Sequence, residues 1–142
     1  MPADFEIRLA PGAEELGLAN MLRDLLTQNL DQHPRKISDF KKLKIGIGLV
    51  ITDAEIAMTL GFAGGLLTIY PGLRNRPGLV IFAESNQVMA LSNQRIKWGL
   101  PYYFDDTGRE ILSAMKSGRL KVKGLLSHFP SLIRLSRVMS VH

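Results

Sequence analysis

The sequence contains no cysteine, so it has neither a disulfide framework nor a catalytic thiol. It has no apolar run near the roughly 20 residues that a bilayer-spanning helix needs. Acid is missing from the end of the chain: between Ile111 and His142 there is no Asp or Glu, against six Lys and Arg. The opening "MPADFEIRLAPGAEE" is acidic where a secretory leader would be basic and then apolar. These absences set the expectation of a soluble protein of the reducing cytoplasm. The 142 residues suit one domain over 1–142, with a net charge of +5.

Signatures of chemistry are missing as well. "GIGLVI" and "GFAGGLL" bring glycines close together, but neither completes G-x-G-x-x-G or a phosphate-binding loop ending in Lys-Ser/Thr. Both read as hairpin glycines. His33, His128 and His142 are far apart and show no ligand spacing, so no metal is expected. Asp105 and Asp106 stand just before a helix, where acids favour the dipole, and capping outweighs acid–base catalysis. No G-x-S-x-G elbow occurs. The expectation is a protein that is not an enzyme and holds no cofactor. A pI near 9.7 invites nucleic acid, yet Trp98, Tyr102, Tyr103 and Phe104 are not interleaved with basic residues as stacking platforms would be. No nucleic acid is expected.

What is present is periodicity. Leu18, Leu22, Leu25, Leu26 and Leu30 form one face of a helix over about 13–32, which "HPRK" ends. In "KLKIGIGLVI" and "EIAMTLGF" the bulky residues alternate: Ile45, Ile47, Leu49 and Ile51, then Ile56, Met58, Leu60 and Phe62. The opposite face is small (Gly46, Gly48, Ala57, Thr59, Gly61), which lets a helix or a ligand approach the backbone closely. "LLTIY" is a third strand, and "GLVIFA" reads as a fourth, buried on both faces. Ser85 suits the N-cap of a short helix to about Ser92, and "IKWGLPYYF" reads as an aromatic loop. Thr107 and Glu110 make a capping box for a helix that Gly118 stops. "RLKVKGL" is a fifth strand, and Pro130 fits the first turn of a last helix.

"SGRLKVKGLL" resembles the Gly-x-Leu-Lys-x-Lys-Gly signature of the sterol carrier protein type-two domains, the non-specific lipid-transfer proteins. The leading helix, "IAMTLGF…LLTIY" and "LVIFAESNQVMALSN" extend the resemblance over essentially the whole chain. It implies an α/β (α+β) fold: a five-stranded, mostly antiparallel sheet covered by helices on one face, with an apolar tunnel between the layers. It also implies a non-catalytic carrier that binds and transfers, or presents, a sterol, fatty acyl chain or similar lipid. The alternatives are an accessory protein-interaction domain that presents a lipid or isoprenoid intermediate to an enzyme, and an enzyme on the same fold. Two stretches depart from the family: the aromatic loop "KWGLPYYFDD", and an ending that is not a peroxisomal tripeptide.

In such a tunnel the expected lining is Phe62, Leu67, Ile69 and Phe82 from strands, Met89 from the short helix and Trp98 from the loop. Met115, Phe129, Leu132, Ile133 and Met139 would close the far side, methionine adapting to varied ligands. Plain core packing is the competing reading of each. The last helix is also basic and amphipathic. Lys121, Lys123, Arg134 and Arg137 are therefore expected to make transient contact with an anionic membrane surface, the alternative being a solvated face.

Overall fold

The computed structural model describes residues 5–74, 77–88, 96–97, 100–101 and 106–140. In chain order the strands are β1 (Glu6–Leu9), β2 (Gly46–Ile51), β3 (Ile56–Phe62), β4 (Leu66–Pro71), β5 (Leu79–Ala83), β6 (Ile96–Lys97), β7 (Leu100–Pro101) and β8 (Lys121–Lys123). The helices are α1 (Gly17–Gln32), α2 (Lys36–Lys42), α3 (Asp106–Ser117) and α4 (Leu125–Met139), with a 3-10 turn at Ala13–Glu15. Six strands pair in the order β1-β4-β3-β2-β5-β8, and β6 and β7 form a small hairpin. The β2–β3, β3–β4 and β5–β8 pairs are antiparallel, while β1–β4 and β2–β5 are parallel. The expected class holds, and among the described residues the main sheet has six strands where five were read from the sequence.

The register sorts the side chains onto two faces. Ile47 stands opposite Leu60 and Leu79, Leu49 opposite Met58 and Ile81, and Leu60 opposite Ile69. All of these are buried, and this inner face packs on Leu22, Leu26 and Leu30 of α1 and on Phe40 of α2. Because successive strand residues alternate, Val80 and Phe82 fall on the outer face with Gly48 and Val50. Strand β5 is thus half exposed rather than buried on both faces: its apolar run is continuous, but Val80 and Phe82 are only partly covered.

Two elements escaped the periodicity. In β1, Glu6 and Arg8 pair with each other at 2.9 Å outside, and Ile7 and Leu9 turn in against Leu67 and Ile69. Four residues with two charges carry too weak an alternation to read alone. Helix α2 follows Pro34 at once and has only seven residues. It holds its place through Phe40, fully buried and edge-on to Phe5 and Phe62, with ring centroids 6.1 and 5.8 Å away. Helix α1 begins at Gly17, after the 3-10 turn, with Leu22, Leu26 and Leu30 inward as expected.

On the small-residue face, Gly48 is covered by the chain itself. Thr59 donates its hydroxyl hydrogen to the Gly72 carbonyl at 2.8 Å and accepts the Arg74 N–H at 2.9 Å. The turn so held lays Leu73 on Gly48, where a β-carbon would come within 2.7 Å of the Leu73 methyl. Other corrections concern helix starts. The expected short helix does begin at Ser85, its part beyond residue 88 lying outside the described residues, but Glu84 rather than Ser85 stands at its cap position: the Glu84 N–H donates to Gln87 Oε1 at 2.9 Å, half of a capping box. Helix α3 starts at Asp106, which places Thr107 in its first turn. Residues 96–97 and 100–101 pair as a hairpin within the stretch read as a loop.

Helix α4 bends at His128 (φ −128°, ψ 29°), so Pro130 does lie in the first turn of its main segment. Its C-terminal end is tied to the start of the chain. Asn29 Nδ2 donates to the carbonyls of Val138 at 3.0 Å and Met139 at 2.9 Å. Lys36, 4% exposed, donates to the Ser140 carbonyl. Burial first, then the charge of Arg35, lowers the Lys36 ammonium from 10.5 to about 8, against the opposing pull of Asp39.

Two outcomes follow from these contacts. Between pH of about 8 and 10.5 the unfolded chain binds more protons at Lys36 than the folded one, so stability rises with pH through that window. Unfolding free energies of wild type and Lys36→Met, compared from pH 7 to 10.5, should diverge in favour of wild type above pH 8. A constant difference would mean that Lys36 titrates normally in the fold. The second outcome concerns Gly124, which has φ +85° and lies so close to Gly78 that a β-carbon would sit 2.1 Å from the Gly78 carbonyl oxygen. Gly118 has φ +79° but faces only the mobile end of Lys121 at 3.4 Å. Gly118→Ala should cost about 1 kcal/mol from the dihedral alone, and Gly124→Ala clearly more. Equal losses in urea titrations would remove the close approach as a constraint.

Candidate functional site

The stretch that resembles the carrier-domain signature can be read as geometry. Gly118 ends α3 in the left-handed conformation, its N–H reaching the Met115 carbonyl at 3.3 Å. Leu120 is buried, Val122 faces Ile81 on the inner side, and Lys121 and Lys123 point out from the sheet's edge. Gly124 then turns the chain into α4 against Gly78. Each fixed residue of the motif thus has a place: glycines where φ is positive, leucine inward, lysines outward.

Of the eleven residues expected to line a tunnel, Phe62, Leu67 and Ile69 do share the inner face, and Met139 is buried in the same core. Leu132 packs partly against that core and Ile133 is half-buried. Phe62 is engaged by the Phe40 ring. Phe82 does not belong to this group: it pairs with Val50 and Lys121 on the outer face, because alternation along β5 places Ile81 inward instead. Met115 (40% exposed) and Phe129 (51%) lie at the surface, on helices whose other sides supply Ile111, Ala114, Leu135 and Val138 to the core. Met89 and Trp98 lie outside the described residues. Leu112, which the sequence reading passed over, is also 40% exposed. Its spacing of three from Met115 was the available signal.

The four basic residues expected to meet a membrane do not form one surface. Lys121 and Lys123 stand on the outer face of the sheet, whereas α4 packs with α1 and α2 over the inner one. Arg137 is drawn into that packing, its guanidinium 3.6 Å from Asp39 of α2. Lys123 instead lies over the Phe82 ring, 5.2 Å from its centroid. With Arg119, Glu84 and Thr52 these residues border a surface concavity of about 430 Å³. Sequence reading turned Arg119 outward with the two lysines but assigned neither it nor Glu84 to a site. The alternation in "RLKVKG" was enough to place Arg119 beside the two lysines, but nothing local brought β5 next to it.

Nearby, Asp53 Oδ1 accepts the N–H of Ser85 at 2.9 Å and its hydroxyl at 3.0 Å. The Ser85 N–H is the main cause holding the Asp53 carboxyl below its ordinary range. This ties the β2–β3 turn to the end of β5 and explains why Ser85 is not free to cap. Among the described residues, no three His, Asp or Glu side chains gather to hold a metal ion. Among the same residues, no helix is long and apolar enough to cross a membrane.

No family model matches the chain, and no curated protein matches its sequence. Solved structures do. A protein described as "UbiJ-SCP2 Ubiquinone synthesis protein" superposes with a TM-score of 0.61 at 12% identity, over 89% of this chain and 98% of that one. A crystal structure of sterol carrier protein 2 superposes with a TM-score of 0.51 at 15% identity, over 83% and 90%. At such identities the likeness concerns the backbone, and that backbone agrees with the signature and with the mixed sheet. The chain therefore has the fold of sterol carrier protein 2.

Proposed function

We propose that the protein binds a lipid between the inner face of its sheet and the covering helices, and that it carries or presents this ligand without catalysing a reaction on it. One observation carries the proposal: the two helices flanking the signature leave large apolar side chains uncovered. Leu112 and Met115 on α3 and Phe129 on α4 are 40 to 51% exposed. A helix serving only as a lid would turn polar residues outward at these positions. Phe129 shares α4 with Leu132, which reaches the core, so one helix offers apolar surface from solvent to interior. The likeness in fold to sterol carrier protein 2 supports the same reading.

A second reading is favoured by another structural neighbour, whose description is a ubiquinone synthesis protein. In this reading the ligand is an isoprenoid intermediate, and the protein holds it for an enzyme. The two differ in what the purified protein contains. Organic extraction and mass spectrometry should recover sterol or fatty acyl lipid in the first case and a polyprenylated compound in the second. Recovery of no lipid, together with no displacement of a fluorescent fatty acid, would sink both. Phe129→Arg, at an exposed position, should leave the fold intact and weaken fatty-acid uptake several-fold. Ile133→Arg should abolish it, and unchanged uptake in both variants would exclude α4 from the site.

A further inference from the structure

The outer face of the sheet carries a concavity that the lipid reading leaves unused. Phe82, Glu84, Arg119, Lys121 and Lys123 border it, around a volume of about 430 Å³. Three cations against one carboxylate (3 − 1) leave its border at +2. Lys121 and Lys123 are two positions apart on β8, so their stems rise from one face about 7 Å from each other. Arg119 joins them from the turn before the strand, its Nε donating to Ser117 Oγ at 2.8 Å. Glu84 is turned partly to its own backbone turn, where its Oε1 accepts the Gln87 amide at 3.3 Å. Phe82 supplies an apolar floor beneath Lys123.

Outward lysines on an edge strand protect it from pairing with another chain. That role does not require them to converge with an arginine on one hollow, where like charges repel. Convergence is favourable when an anion fills the hollow. A guanidinium fork matches two phosphate oxygens, and lysines add point charges. We propose that this concavity binds a phosphate group of the phosphomonoester class, whose dianion matches the +2 border. The group belongs either to a soluble phosphorylated compound or to a phosphomonoester lipid headgroup. The site lies across the sheet from the lipid layer, so it stands or falls separately from the lipid reading.

The test titrates isotope-labelled protein with glycerol 3-phosphate at low salt, following amide shifts. In parallel, the protein is co-sedimented with vesicles of phosphatidylcholine, with and without phosphatidic acid. Lys121→Gln/Lys123→Gln changes two exposed side chains, and Lys41→Gln/Lys42→Gln, at exposed positions on α2, controls for general charge. Saturable shifts at residues 119–123 with the soluble phosphate assign the site to soluble compounds. Sedimentation with phosphatidic acid alone, without a response to the soluble compound, assigns it to headgroups. In either case binding should weaken about tenfold or more in the Lys121/Lys123 variant, from the loss of two charge-assisted contacts, and stay unchanged in the control. No saturable response to either probe overturns the site. So does undiminished binding in the Lys121/Lys123 variant, or an equal loss in the control.

Discussion

Asn29 of α1 donates to the carbonyls of Val138 and Met139, and the place of the last helix depends on this contact. A helix leaves its final carbonyls without internal partners, and a buried end must find them elsewhere. Here they come from more than a hundred residues away. Asn29 serves two carbonyls, the Lys36 ammonium serves that of Ser140, and Arg137 reaches back to Asp39. Burial of Leu135, Val138 and Met139 supplies most of the attraction, but apolar contact is non-directional. The polar contacts choose one position along the sheet. Without them α4 could slide, and the apolar layer beneath it would have no fixed depth.

The same helix is held at its other end by an absence of side chains. Gly124 meets the backbone of Gly78, and Gly78 in turn leaves room for Ile45 and for the His128 ring. The helix thus leaves the edge strand and crosses the end of the sheet at backbone contact distance. Directional bonds at one end and steric room at the other make α4 a beam fixed at both ends. The bend at His128 lies near the second support, where α4 turns off the edge strand. Between the two supports Leu132 and Leu135 pack toward the core while Phe129 stays exposed, so the helix is fixed in place and still presents an apolar side chain to solvent.

Much of this architecture was legible in the sequence. Alternation placed the inner faces of β2 and β3, the leucine spacing placed the core side of α1, and the signature marked Gly118 and Gly124. These are local patterns, and local physics produces them. The misses share a cause, since each depends on what lies opposite. Phe82 was assigned inward because an unbroken apolar run hides its own alternation; only pairing with Leu49 and Val50 shows which residues turn in. Arg137 looked like a solvated cation because Asp39 is 98 positions earlier in the chain. Ser85 looked like a cap because its bond to Asp53 spans a turn between other strands. The small-residue face was legible as a surface for close approach, but the occupant at Gly48, Leu73, came from the chain itself.

The sheet also works as a partition. Strand β8 adds Val122 to the apolar side and Lys121 and Lys123 to the other, so one three-residue strand feeds two chemically opposite surfaces. The apolar side must stay free of unpaired charge, because a cation moved into it would lose its hydration without recompense. Alternation secures this at no extra cost. A register slip of one residue on β8 would put both lysines inside and Val122 outside. The slip is opposed from both ends of the strand: Leu120 is anchored in the core with its N–H on the Ala114 carbonyl, and Gly124 is wedged against Gly78. The separation of apolar interior from basic exterior rests on those two anchors rather than on the strength of a three-residue strand.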